Sequence, residues 1–391
     1  MCAELDLHKP DFFCCWRLPL DLTFEEVVTA YLDCRKGKRK TIHALDFEFN
    51  LEKNLYELYQ DLIHGRYQIG KSISFVVEQP KVREIWAGTF RDRIVHHIIY
   101  NRLAPRFYPS FIRNSFACIP KRGVLDGSSR LWSGMRSITS NWQEPCYYLQ
   151  GDVRNFFVSI DKEILYSMLT PKIKEPWLCA LVSQVIFHDP RTNCVLKSKR
   201  SAFDRVPRHK SLMNATANKG LPIGNLTSQF FANVYLDALD QFLKHQLRAK
   251  YYYRYVDDFV ILNKSSQVLN EQFVAIQDFL SEKLKLELHP FKKRIAPIHQ
   301  GIDFIGFIHK PYRRQIRVRT AGKMVSLVHQ WKKSRRGLEQ DSLENLRNSM
   351  NSYFGISRWA STYRLRQHLG DEVSSLFIRP DKDYLKLILP K

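Results

Sequence analysis

The chain has 391 residues, and 61 Lys and Arg against 39 Asp and Glu leave a formal charge of +22. Roughly 150 residues per domain makes this two or three domains. A content of 44% hydrophobic and 13% aromatic residues excludes a disordered tail, a collagen-like fibre and a minimal disulfide scaffold. The cationic surplus calls for a polyanionic partner, with nucleic acid ahead of an anionic membrane surface. No apolar run reaches the ~18–20 residues of a membrane span. Glu4 and Asp6 precede any apolar stretch, unlike a signal peptide. The eight cysteines lack a CxxC pair or zinc spacing. They read as free, mostly buried thiols of a reducing, cytoplasmic compartment.

Thr23 and Glu26 form a capping box that opens a helix carrying Phe24, Val27, Val28 and Tyr31 on one face. A basic linker, Arg35–Lys40, follows. Asn50 is the expected cap of a second helix, with Leu51, Leu55, Leu58 and Leu62 at helical spacing and Gly65 as its stop. Phe75–Val77 and Arg83–Trp86 read as a hairpin around Gln79-Pro80-Lys81. Ile94, Val95, Ile98, Ile99 and Leu103 mark a helix ended by Pro105. The strand Cys146–Leu149 runs into Gly151-Asp152. Residues 191–210 are irregular and basic, with seven Lys or Arg against Asp204 alone. A helix starts near Asn225, and two apolar runs, Tyr251–Val256 and Phe259–Leu262, flank Asp257-Asp258. Leu269, Phe273, Ile276, Leu280 and Leu284 share a helix face, and Phe304–Ile308 and Gln315–Val318 read as closing strands. This order predicts an α+β sheet with helices on one face. From Lys310 to Arg336 there are ten Lys or Arg and no acid, and a helix opens at Asp341. These residues predict a separate, basic, helical C-terminal domain.

Asp257-Asp258 carries the chemical argument. An Asp-Asp pair in a hairpin is commonly a solvated turn. Here both flanking strands are apolar enough to be buried, and paired carboxylates held against a core repel unless a cation neutralises them. Asp152 ends another strand. Three carboxylates from adjacent strand ends suit two Mg²⁺ ions that clamp an in-line phosphoryl transfer. Residue pattern alone leaves both readings open.

Tyr255-Val256-Asp257-Asp258 resembles the YxDD box of reverse transcriptases, and other blocks follow in that family's order. Phe90–Val95 resembles the early fingers block, Asp152–Phe157 the first catalytic block, and Leu221–Gln229 the template and nucleotide block. Leu286–Lys293 and Asp303–Phe307 resemble the last palm blocks. Ile223-Gly224 and Ser228-Gln229 stand where most bacterial members carry Gln-Gly and Ser-Pro. With His209-Lys210-Ser211-Leu212, that variant resembles the reverse transcriptases of diversity-generating retroelements.

The resemblance implies an α+β right-hand polymerase with fingers, ferredoxin-like palm and helical thumb. The N-terminal extension and fingers would span 1–127, the palm 128–160 and 216–309, a fingers insertion 161–215, and the basic thumb 310–391. On this division no protease, RNase H or endonuclease domain is expected. Asp152, Asp257, Asp258 and the Val153 main chain would hold two Mg²⁺. Lys292, with Lys293 as its neighbouring rival, would serve the leaving pyrophosphate. Lys81 and Arg83 would grip the triphosphate, Phe157 would exclude a 2′ hydroxyl, and Ile223 and Gly224 would face the nascent pair. Phe304 and Gly306 belong to a primer grip. Arg313, Arg314, Arg317, Arg319, Lys332, Lys333, Arg335 and Arg336 would meet duplex phosphates. Tyr353, Trp359 and Tyr363 could stack on nucleotides but read first as helix-packing aromatics, and His96-His97 reads as structural.

Implied partners are a structured template RNA, an RNA–DNA duplex, deoxynucleoside triphosphates and an accessory protein from the same locus. An antiphage-defence reverse transcriptase is the alternative role. A non-catalytic RNA-binding scaffold is disfavoured by three intact carboxylates, and an RNA-dependent RNA polymerase by Phe157.

Overall fold

The computed structural model describes residues 21–79, 81–333, 340–378 and 383–388. Ten strands occur among them: β1 Ser72–Val77, β2 Arg83–Ala87, β3 Tyr147–Asp152, β4 Cys194–Leu196, β5 Tyr251–Tyr255, β6 Asp258–Asn263, β7 Arg294–Pro297, β8 Ile302–Phe304, β9 Phe307–Lys310 and β10 Arg313–Ile316. The chain divides into two compact units. One comprises Met1–Arg113, Val153–Arg248 and Ala275–Pro290; the other comprises Asn114–Asp152, Ala249–Val274 and Phe291–Lys391.

In the first unit, β1 lies between β2, antiparallel, and β4, parallel. The Thr23–Glu26 capping box forms as expected at the start of helix Phe24–Arg35. Asn50 does precede helix Leu51–Ile63, but its side chain makes no capping bond. A further helix, Ile42–Phe49, lies between the basic linker Arg35–Lys40 and the Asn50 cap, where the sequence predicts no element. Its Ala44 and Phe47 are buried, while Ile42, Leu45 and Phe49 are largely exposed. Helix Phe90–Phe107 runs through Pro105, beyond the expected stop. Proline removes a single donor there, and the Tyr108 N–H still reaches the Ala104 carbonyl at 2.9 Å. Residues 191–210, expected to be irregular, contain β4 and the short helix Arg200–Asp204.

The second unit is built on an antiparallel sheet of order β5-β6-β3-β7. Helix Leu226–Gln241 separates β3 from β5 in the chain, and helix Ser266–Leu284 separates β6 from β7. The strand order is therefore that of the βαββαβ ferredoxin-like plan. Successive side chains alternate across each strand. Tyr148, Val260 and Leu262 accordingly share a core with Leu131, Met135 and Ile138 of helix Val124–Ile138. Gly134 allows that close approach, because a Cβ there would collide with the Tyr253 hydroxyl.

A second antiparallel sheet has the order β10-β9-β8. The continuous apolar run Phe304–Ile308 is broken by a turn at Ile305-Gly306, with φ of +44° and +93°, so β8 folds back on β9. Ile305 accepts this left-handed backbone while its side chain joins the core. Val318 opens a helix, Val318–Lys333, instead of ending a strand. That helix, Gln340–Ser357 and Tyr363–Glu372 share an apolar core including Met324, Val328, Met350, Phe354 and Leu369. No helix among the described residues is long and apolar enough to cross a membrane.

Candidate active site

The carboxylates lie at one end of the second unit's main sheet. Strand register sets Asp152 directly opposite Asp258, and Tyr255 pairs with Asp258 across a two-residue loop, Val256-Asp257. Opposed residues share a face with Cβ atoms roughly 4.5–5.5 Å apart, so Asp152 and Asp258 are neighbours, with Asp257 at the turn. Gly151 faces the Phe259 ring across the ladder, and a Cβ there would come within 2.4 Å of it. Glycine before Asp152 is thus a steric requirement of this sheet.

The turn itself is strained. Val256 has φ +55°, a position that two-residue hairpins ordinarily give to Gly, Asn or Asp and that a β-branched side chain resists. Arg254, 1% exposed within the otherwise apolar strand, donates from Nη1 to the Val256 carbonyl at 3.1 Å. Such local strain persists only where surrounding structure imposes it, and it concentrates at functional sites.

Gln150 lies two residues before Asp152 on the same face. Its Nε2 donates to Asp258 Oδ1 at 3.2 Å and to the Asp303 carbonyl at 2.8 Å. Desolvation is the main cause pushing the Asp258 carboxyl up to about 7; the Gln150 hydrogen bond opposes it and the Asp257 charge adds to it. The Lys292 ammonium is ion-paired with Asp152 Oδ2. Lys293 turns elsewhere, to Asn270 Oδ1 at 3.1 Å and over the Phe273 ring at 4.1 Å. The geometry therefore favours Lys292 of the two.

Carboxylate oxygens are the hard donors Mg²⁺ takes, so the donor set fits that ion. Among the described residues no three acidic, His or Cys side chains already converge as a metal cage. The Lys292 pair occupies Asp152 Oδ2, so a cation taking that oxygen would displace the ammonium. Val153 could contribute only its carbonyl; its side chain is buried and it bridges Leu288.

Within the first unit, main-chain bonds join the residues expected to handle the nucleotide. The Trp86 N–H donates to the Ile223 carbonyl at 2.7 Å, and the Leu221 N–H to the Phe157 carbonyl at 2.8 Å. Gly224 has φ +136°, and a Cβ there would sit 2.5 Å from the Trp86 carbonyl oxygen, so only glycine permits this approach. The Asn225 side chain accepts from the Gly88 N–H at 3.1 Å. Lys81 and Arg83 are exposed on the hairpin, and Phe157 and Ile223 are half-buried. Beneath the hairpin, buried Glu84 accepts from Ser211 Oγ at 2.5 Å and from the Trp86 indole. His96 is buried and bonded to Thr227 at 2.8 Å, in keeping with a structural role.

Other expected contacts are placed differently. Phe304 is wholly buried in the core, so its ring is not available to nucleic acid; Gly306, with open space about it, is the accessible part of that turn. Arg317 pairs with Asp303 at 2.6 Å, and Lys332 with Glu372 at 3.0 Å. Arg319 is exposed. The Lys333 side chain, Arg335 and Arg336 lie outside the described residues, as does the Asp341 side chain expected to open the next helix.

Residues missed by sequence reasoning are Gln150 and Arg254. Gln150 was legible as the i−2 neighbour of Asp152 on the same face. Arg254 was legible as a charge inside an apolar strand.

Residues 78–309, more than half the chain, match the reverse transcriptase (RNA-dependent DNA polymerase) family. An uncharacterized 91 kDa protein in the cob intron of Schizosaccharomyces pombe is 26% identical over 172 residues, covering 44% of this chain and 18% of that protein. The group II intron-encoded protein LtrA of Lactococcus lactis is 21% identical over 340 residues, covering 69% of this chain and 51% of LtrA. The chain thus spans about half or less of these relatives' length. A telomerase structure from Candida albicans, in complex with a fragment of telomeric RNA, aligns with 78% of this chain and 55% of its own at 12% identity and a TM-score of 0.46. With the family match and the sheet order together, this chain belongs to the reverse transcriptase family and has its α+β right-hand polymerase fold.

Proposed function

We propose that this chain is an RNA-directed DNA polymerase that copies a dedicated non-coding RNA into cDNA within a diversity-generating retroelement. The observation that carries the catalytic reading is the register that sets Asp152 against Asp258 beside the strained turn bearing Asp257. In this reading Asp152 and Asp257 would hold two Mg²⁺ ions, with Asp258 and the Val153 carbonyl in support. The bound ions supply charge neutralisation and a lowered pKa at the primer hydroxyl. The primer 3′ oxygen attacks the α-phosphate in line, and pyrophosphate leaves. Lys292, released from Asp152, presents its ammonium to the departing phosphates, and Lys81 and Arg83 bind the triphosphate. The fingers would comprise 1–127 with the insertion 161–215, the palm 128–160 and 216–309, and the thumb 310–391. Ile223 with Ser228-Gln229 supports the retroelement assignment, and a structured RNA, an RNA–DNA duplex and an accessory protein are its proposed partners.

The decisive experiment is Asp257→Asn. The carboxamide preserves shape but removes charge, so Mg²⁺-dependent deoxynucleotide incorporation on an RNA template should vanish while RNA binding persists. Primer extension at the parent's rate would refute the carboxylate assignment.

A further inference from the structure

A second feature of the 114–391 part of the chain has no place in the catalytic reading. Trp132 on helix Val124–Ile138, Trp142 just beyond it and Tyr312 at the β9–β10 turn form a ladder of rings. Trp132 and Trp142 centroids are 5.7 Å apart, and Trp142 and Tyr312 centroids 5.8 Å apart. Its inner end is fixed, since the Trp132 indole N–H donates to the Lys310 carbonyl at 3.3 Å. Its outer end is open, with Tyr312 76% exposed.

Trp142 and Tyr312 sit on left-handed backbone, and Trp142 also packs partly buried against the core. Ser140, Asn141 and Trp142 have successive φ values of +48°, +61° and +74°, and Tyr312 has φ +63°. A bulky residue in the left-handed region is an outlier, and hydrophobic packing alone gives no reason to expose Tyr312. Charge supplies the complement. Arg136 and Arg314 lie 5.5 and 5.9 Å from the Trp132 ring, and residues 310–319 contain five Lys or Arg and no acid.

We infer that this ladder is a stacking platform for an unpaired base of a single-stranded RNA segment, with Tyr312 as the contacting ring and the neighbouring guanidiniums meeting its phosphates. Every base has a π-face, so aromatic platforms in a cationic setting accept single strands with little sequence preference. A duplex keeps its bases stacked inside and has no face to offer. The surface shares no residue with Asp152, Asp257 or Asp258, so it does not depend on catalysis.

The test uses the full chain carrying Asp257→Asn and a single-stranded 12-mer RNA containing 5-iodouridine, alone or annealed to its complement. Irradiation should crosslink the single strand to Tyr312 or Trp142, identified by peptide mass spectrometry, and annealing should abolish the crosslink. Tyr312→Gly suits the left-handed backbone while deleting the ring. It should retain thermal stability yet weaken single-strand binding about tenfold, within the range of one base–aromatic stack; Tyr312→Phe should bind like the parent. Crosslinks confined to other segments, with unchanged affinity in Tyr312→Gly, would overturn the proposal. An equal loss for single strand and duplex would also overturn it, because it would indicate general charge or folding effects. Reduced stability with unchanged RNA binding would mark the ladder as packing only, or as a surface for a protein.

Discussion

At the scale of single residues, Gln150 and Asp258 show how a neutral side chain can set up an acidic site. The Gln150 amide holds Asp258 and the Asp303 carbonyl at once, joining β6 to the turn-bearing sheet of β8. Asp258 is raised to about 7, chiefly by desolvation. A carboxyl raised in the folded state binds more protons there than in the unfolded chain, so its contribution favours folding at low pH. That contribution declines as pH rises through the interval from roughly 4, the unfolded value, to about 7. Magnesium needs the ionised form, so stabilisation by MgCl₂ should be small at pH 6 and larger at pH 8. Thermal melts of the parent and Asp258→Asn measure this; equal shifts at both pH values in the parent would contradict it. Phe157 offers a separate check. As a sugar gate, Phe157→Val should admit ribonucleotides, read by competing dCTP against CTP. As plain packing, truncation to Ala should only destabilise, by about 3–5 kcal/mol, leaving the ratio unchanged. The carboxylates were legible in the sequence because Asp152 ends an apolar strand and Asp257-Asp258 interrupts two apolar runs, Tyr251–Val256 and Phe259–Leu262. The sequence places Gln150 on the Asp152 face, but its bond to a carbonyl 153 residues away is not legible there.

At the scale of elements, the template and nucleotide block, Leu221–Gln229, is held by its backbone, which makes it suitable for substitution. The Ile223 carbonyl is anchored by Trp86, so Ile223→Gln changes the side chain while leaving that bond intact. Resemblance to diversity-generating enzymes implies frequent misincorporation opposite template adenine. An Ile side chain has no donor or acceptor with which to steady a correct pair, and one lost polar contact is worth ~1–3 kcal/mol of discrimination. Sequencing products copied from a balanced RNA template should show excess errors at adenine in the parent and fewer in Ile223→Gln. Uniform, low errors in both would favour the antiphage-defence role. Gly224→Ala, by contrast, should detach the block from β2 and depress incorporation generally. The long elements here were readable because their periodicity is local. The short ones were not. β4 has three residues and exists through parallel pairing with β1, and helix Ile42–Phe49 has eight residues, too few for a sustained periodicity, with Ala44 and Phe47 its buried pair. The Ile305-Gly306 turn is disguised by an unbroken apolar run, because core packing forces Ile305 into a conformation its own side chain disfavours.

At the scale of the whole molecule, a charge of +22 makes salt dependence the natural measure of RNA binding, because each neutralised phosphate releases counterions. Composition reveals that the surplus exists, but pairing decides which cations can act. Lys332 is engaged with Glu372 and Arg317 with Asp303, partners that sequence could not assign because they lie 40 and 14 positions away. Lys332→Gln alone should therefore leave the salt slope of template–primer binding nearly unchanged. Lys333, Arg335 and Arg336 carry the remaining charge of that cluster. Replacing these three by Gln should flatten the slope by up to roughly 0.9 per lost phosphate contact, about 2.7 in all if each makes one. Binding across a salt series, in the parent, the single variant and the triple variant, separates the possibilities. A slope unchanged in the triple variant would mean that these cations form a solvated face. A marked drop in Lys332→Gln alone would mean that the Glu372 pair opens when the duplex binds.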